Sequence, residues 1–258
     1  MITLLNKFDD HYVIEEVDIL EIVKHYIHEN NLEMYLKDAT FDNSIPDIAK
    51  YNPITSIIYI NMEKLMEVCN MWSNKLQKTY HIDDNNYSYL LNYYLLYSLF
   101  HEIVHAMQRK KHDLSFNDPN NLYTFLYELN DELIAKNYNL YNNFHDLFPM
   151  EIEANNIGLL YSYNLMSHTK LPNREKRIMH LQYINSLLSN YDKINKYHIS
   201  TPFNKLCLQD SKINTSLFNE LLNKSKLNKI ERLNLGIDIT PHEYNSLQRE
   251  RIRLLIKR

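Results

Sequence analysis

The chain has 258 residues, with 28 Lys and Arg against 32 Asp and Glu; the net charge of −4 gives no general pull toward nucleic acid. Its two glycines, Gly158 and Gly236, argue against an all-β or doubly wound fold, which needs many tight turns. Its two cysteines, Cys69 and Cys207, are too few and too far apart for a disulfide scaffold and fit a reducing compartment.

The opening Met1-Ile2-Thr3-Leu4-Leu5 runs into Asn6, Lys7, Asp9 and Asp10, so it offers no apolar stretch of signal-peptide length. No run approaches the roughly 18 apolar residues of a membrane span. A cytoplasmic protein without membrane partners is expected. A helix is predicted over 13–30, and residues 32–37 are a weak strand candidate. The clearest strand is 51–61, rich in β-branched and aromatic residues and bounded by Pro53 and Asn61. We expect its part from Thr55 to Asn61 to be an edge strand. A helix follows over 62–78.

Asp83, Asp84, Asn85 and Asn86 are N-cap candidates for a long helix free of Gly and Pro. Leu91, Leu95, Leu99, Ile103 and Ala106 recur along it at helical spacing. Deep in this run lies His101-Glu102-Ile103-Val104-His105. Histidines four apart stack on one helix face, where both imidazoles can reach one tetrahedral metal. Glu102 then projects beside the metal, placed to take a proton from a water. Two histidines and a glutamate are costly to bury in an apolar helix without partners, and a metal is an effective one. Tyr93, Tyr94 and Tyr97 read as amphipathic packing rather than as a platform for stacking bases.

A third ligand must come from further along. Another helix is expected over 121–141, where Glu128 and Glu132 share a face and are rival ligands. Pro149 opens the next, over 151–166, with acidic residues in its first turn. There Glu151 and Asn155 stand four apart on one face, and Ala154 is small enough for two helices to pack closely. Glu151 is preferred over Glu128 and Glu132, and Glu153 is expected to face elsewhere, in an ordinary acidic first turn.

The segments His101-Glu102-Ile103-Val104-His105-Ala106-Met107-Gln108 and Glu151-Ile152-Glu153-Ala154-Asn155 together resemble the gluzincin metallopeptidases. They are most similar to the H-E-x-x-H…E-x-x-A-N pattern of ImmA/IrrE-type and related phage and mobile-element peptidases. The resemblance implies an α+β, predominantly helical fold: a zincin-like core with a small β-sheet and an active-site helix carrying the motif. It implies Zn2+ held by His101, His105 and Glu151, with Glu102 as general base and Asn155 as a supporting residue. It also implies a substrate peptide or protein lying along the edge strand. The domain expected to carry it is 1–170, with 171–258 as a helical C-terminal subdomain.

Downstream, a helix is expected over 173–190. Tyr161, Tyr163, His168, His180 and His198 are open choices for steadying an oxyanion. Thr240, Pro241 and Glu243 form a helix start with a capping box. The basic end of that helix reads as charges that complement its dipole, with Ile252, Leu255 and Ile256 packed inward. Two functions stay open. One is a zinc metallopeptidase in which Glu102 activates water. The other is a non-catalytic regulatory or binding protein that keeps the metal shell; the presence of Glu102 favours the enzyme.

Overall fold

The computed structural model describes residues 12–80, 87–114, 121–136, 138–171, 173–195, 215–237 and 239–256. Among the described residues the fold is predominantly helical with one small sheet, as the α+β expectation requires. Helix α1 (Glu16–Asn30) precedes strands β1 (Asp38–Phe41), β2 (Ala49–Asn52) and β3 (Ile57–Ile60). Then come α2 (Met62–Tyr80), α3 (Tyr87–Leu114), α4 (Leu122–Lys136), α5 (Tyr138–Phe144), a single 3-10 turn (His145–Leu147) and α6 (Pro149–Ser167). The rest is α7 (Asn173–Asn195), α8 (Thr215–Lys224), α9 (Lys229–Asn234) and α10 (Pro241–Ile256). No helix among the described residues is long and apolar enough to cross a membrane.

The chain divides into two compact units, residues 1–107 with 157–183, and residues 108–156 with 184–258. In the first, the apolar stripe of α3 supplies Leu91, Leu95, Leu99, Ile103 and Ala106, all at most 5% exposed. They share a core with Ile19, Ile22 and Val23 of α1 and with Ile58 and Ile60 of β3. Each such side chain contributes about 1.5–3 kcal/mol on leaving water. Asn92 of α3 is fully buried in this core and is satisfied by the backbone at both ends: it accepts from Ile14 N at 2.8 Å and donates to Tyr12 O at 2.6 Å. In the second unit, Leu122, Leu126, Leu129 and Leu133 repeat along α4 and pack with Leu147, Phe148 and Met150 and with Phe218, Leu221 and Leu222 of α8.

Two strand expectations are corrected. Residues 32–37 form turns, and the strand lies just after them, at Asp38–Phe41. Residues 51–61 are not one strand: Pro53 to Ser56 is a turn, with Ser56 in the left-handed region (φ 59) and Asn52 Oδ1 accepting from Ile54 N at 2.9 Å. The sheet order is β1-β3-β2, so β3 is the central strand, parallel to β1 and antiparallel to β2. The Ile57-Ile58-Tyr59-Ile60 run is what a strand flanked on both sides would carry. Strand β2 forms an edge instead.

The expected helix over 121–141 is two helices, α4 and α5. The capping box opening α10 is present, with Glu243 N donating to Thr240 Oγ1 at 3.3 Å and Thr240 N donating to Glu243 Oε2 at 3.0 Å. The buried face of α10 differs from expectation. Ile252 and Ile256 are 53% and 74% exposed, while Leu254 is 8% exposed and Tyr244 and Leu247 pack inward. Positions 244, 247 and 254 follow a spacing of three and seven, which puts 252 and 256 on the opposite face.

Candidate metal centre

His101 and His105 lie one turn apart on α3, and their Nε2 atoms are 3.0 Å apart with the rings nearly perpendicular (81°). Both face the same point because side chains at i and i+4 stack along a helix. The spacing is close to the roughly 3.3 Å between neighbouring ligand atoms around a tetrahedral zinc with bonds of about 2.0–2.1 Å. One ligand atom from each of His101, His105 and Glu151 lies within 4.8 Å of the other two. Two imidazole nitrogens and a carboxylate are a donor set that suits zinc. These residues fit the group that the resemblance implies.

Glu102 is 8% exposed. Its Oε1 is 3.9 Å from His101 Nε2, and its Oε2 accepts a 2.7 Å hydrogen bond from the backbone N–H of Tyr51. Tyr51 belongs to the edge strand. Asn61 N donates to Ile48 O at 2.8 Å, so alternate residues 48, 50 and 52 turn their backbone groups toward β3. Ala49 and Tyr51 turn theirs outward. The edge strand therefore anchors the candidate general base through a backbone donor, a contact the sequence gives no means of foreseeing.

The rival ligands are elsewhere. Glu128 is exposed, and exposed Glu132 pairs with Lys136 at 2.7 Å, one turn along α4. Asn155 is half-buried on α6. Tyr161 packs against Phe100 and Tyr26, and Tyr163 stacks on Tyr183 with ring centroids 4.8 Å apart. His180 stacks on the other ring of that pair, Tyr163, and exposed His168 sits 2.6 Å from Asn164 O. His198 and Cys207 lie outside the described residues.

Two residues escaped the sequence. His145, in the 3-10 turn before α6, places Nε2 3.3 Å from Glu151 Oε1. Its pairing with Asp146, and then with Glu151, pushes its pKa up to about 10. That distance puts His145 Nε2 in reach of the carboxylate, the placement of a group that would orient a metal ligand. The only sign of it in the sequence is a His a few residues before Pro149. Glu153 is the second: expected as part of an ordinary acidic first turn, it is instead 2% exposed and hydrogen-bonded by Gln108 and Tyr123, both at 2.8 Å.

Helices α3 and α6 approach closely at His101. A Cβ on Gly158 would lie 3.1 Å from His101 N, 3.2 Å from Tyr97 O and 3.3 Å from His101 Cα, all backbone atoms that cannot swing aside. A mid-helix Gly→Ala change ordinarily gains about 1 kcal/mol, whereas overpacking costs about 1–3 kcal/mol. The second effect wins here, so Gly158→Ala lowers the thermal midpoint. A raised midpoint in a melting experiment would mean that the close approach is not required.

Comparisons with protein-family models, with curated proteins and with solved structures find no match to this chain.

Proposed function

We propose that the protein is a zinc-dependent metallopeptidase in which His101, His105 and Glu151 hold the metal and Glu102 is the general base. The observation that carries this reading is the convergence of two Nε2 atoms and a carboxylate next to a buried glutamate that is not needed as a ligand. Zinc bound there supplies a Lewis acid and lowers the pKa of its water toward about 7. Glu102 takes the proton from the attacking water and returns it to the leaving amine. Burial keeps its carboxylate away from bulk water, and the Tyr51 N–H fixes one oxygen, leaving the other turned toward His101. His145 orients the Glu151 carboxylate.

An extended peptide substrate pairs with β2 through the outward N–H and C=O of Ala49 and the C=O of Tyr51, the Tyr51 N–H being held by Glu102. Ala49→Pro removes an outward N–H and leaves the β2–β3 ladder intact, so it keeps the fold and weakens peptide binding. Lys50→Pro removes a donor facing β3 and destabilises the sheet. Circular dichroism and cleavage assays on the two variants separate these outcomes; equal cleavage by Ala49→Pro and the parent protein would contradict strand pairing.

The activity is tested by incubating the zinc-loaded protein with a mixed peptide library and reading new termini by mass spectrometry. Cleavage by the parent and none by Glu102→Gln supports the reading. Absence of zinc-dependent cleavage, with zinc bound, would favour the non-catalytic alternative.

A further inference from the structure

Gln108 is fully buried on α3, one turn after His105, and Glu153 is 2% exposed on α6, two residues after Glu151. Burying an amide and a carboxylate costs several kcal/mol unless both are well paired. Here the pairing is specific. Gln108 Nε2 donates to Met150 O at 2.9 Å and to Glu153 Oε2 at 2.8 Å. Glu153 Oε1 accepts from Tyr123 OH at 2.8 Å, and Lys111 Nζ stands 3.4 Å away and 2.8 Å from the same hydroxyl. Burial, followed by the charge of Glu153, raises the Tyr123 pKa, so its hydroxyl stays a donor.

The two acceptors of Gln108 flank Glu151 in sequence: the Met150 carbonyl on one side and the Glu153 carboxylate on the other. The first turn of α6 is thus fastened to α3 at three residues from His105. An apolar contact would hold the helices together equally well, but it would leave them free to slide by a fraction of an ångström. Hydrogen bonds to a particular carbonyl and a particular carboxylate oxygen fix the register. We infer that Gln108 and Glu153 are positioning residues for Glu151 of the proposed metal centre, fixing the height and rotation of its helical turn against Gln108. The inference rests on the metallopeptidase reading. It adds a second layer behind the ligands, whose disruption typically costs 10–100-fold in metal affinity.

The test uses the full chain stripped of metal, titrated with Zn2+ against a chromophoric chelator, with the thermal midpoint of the metal-free form as the folding control. Gln108→Met keeps the volume and removes both hydrogen bonds. It should unfold cooperatively yet bind Zn2+ about 10–100-fold more weakly than the parent. Its Co2+-substituted form should show an altered visible absorption band, a readout that general loss of stability does not move. Affinity and Co2+ spectrum equal to those of the parent would overturn the inference. Should Gln108→Met not fold, Glu153→Gln carries the test. It keeps the shape but removes the charge-assisted bonds, and affinity should fall in the same direction; an unchanged affinity overturns the inference. A parent protein that binds no Zn2+ refutes the metal centre itself and takes this inference with it, whereas a parent that binds while the variant binds equally well refutes the positioning role alone.

Discussion

On the proposed mechanism, Glu102→Gln should leave the metal in place and lower peptide hydrolysis by about 10²–10⁴-fold, the range expected when a positioned general base is removed. Gln has nearly the same shape and still offers an oxygen to the Tyr51 N–H that holds Glu102 at 2.7 Å. It cannot accept the proton. Zinc content and thermal midpoint should therefore change little while turnover collapses. Steady-state kinetics on a cleaved peptide, together with metal analysis, check both halves. If the substitution instead strips the metal, Glu102 is a ligand and the assignment of roles is wrong.

Removing a ligand has the opposite signature. His101→Ala, His105→Ala and Glu151→Ala should each lose zinc and activity together. The effect is measurable without a substrate, because a ligand that binds only the folded state stabilises it by RT ln(1 + [L]/Kd). Zinc at a thousandfold excess over Kd is worth about 4.1 kcal/mol by that relation. A melting scan should show added Zn2+ raising the midpoint of the parent protein and leaving the three variants near their metal-free values. Glu132→Ala serves as the control, since Glu132 is exposed and paired with Lys136. A zinc-dependent rise in Glu151→Ala equal to that of the parent would remove Glu151 from the ligand set.

Much of this was legible in the sequence where one period dominates. The apolar stripe on α3 and the i, i+4 histidine pair obey a single helical repeat, so burial and the direction of the imidazoles follow from counting residues. The helix opening at Pro149, and the grouping of Glu151 with His101 and His105, came from the same kind of reasoning plus a resemblance. What failed depended on partners distant in sequence. The position of β3 within the sheet is set by its pairing with β1 as well as with β2, and a β-branched run does not announce its neighbours. Glu153 reads in the sequence as one more acidic residue of a helix's first turn. Its burial depends on Gln108 and Tyr123, which lie 45 and 30 residues away. Gly158 carries a signal in the sequence itself. A glycine inside an otherwise uninterrupted helix costs about 1 kcal/mol, and that cost marks a close approach.

The most direct test is zinc K-edge X-ray absorption on the parent protein loaded with one equivalent of Zn2+. The proposed centre predicts multiple scattering from two imidazoles and a first shell of nitrogen and oxygen at about 2.0–2.2 Å, without sulfur. A shell of oxygens alone, as in the hydrated ion, or one containing a single imidazole, would contradict a site built from His101, His105 and Glu151.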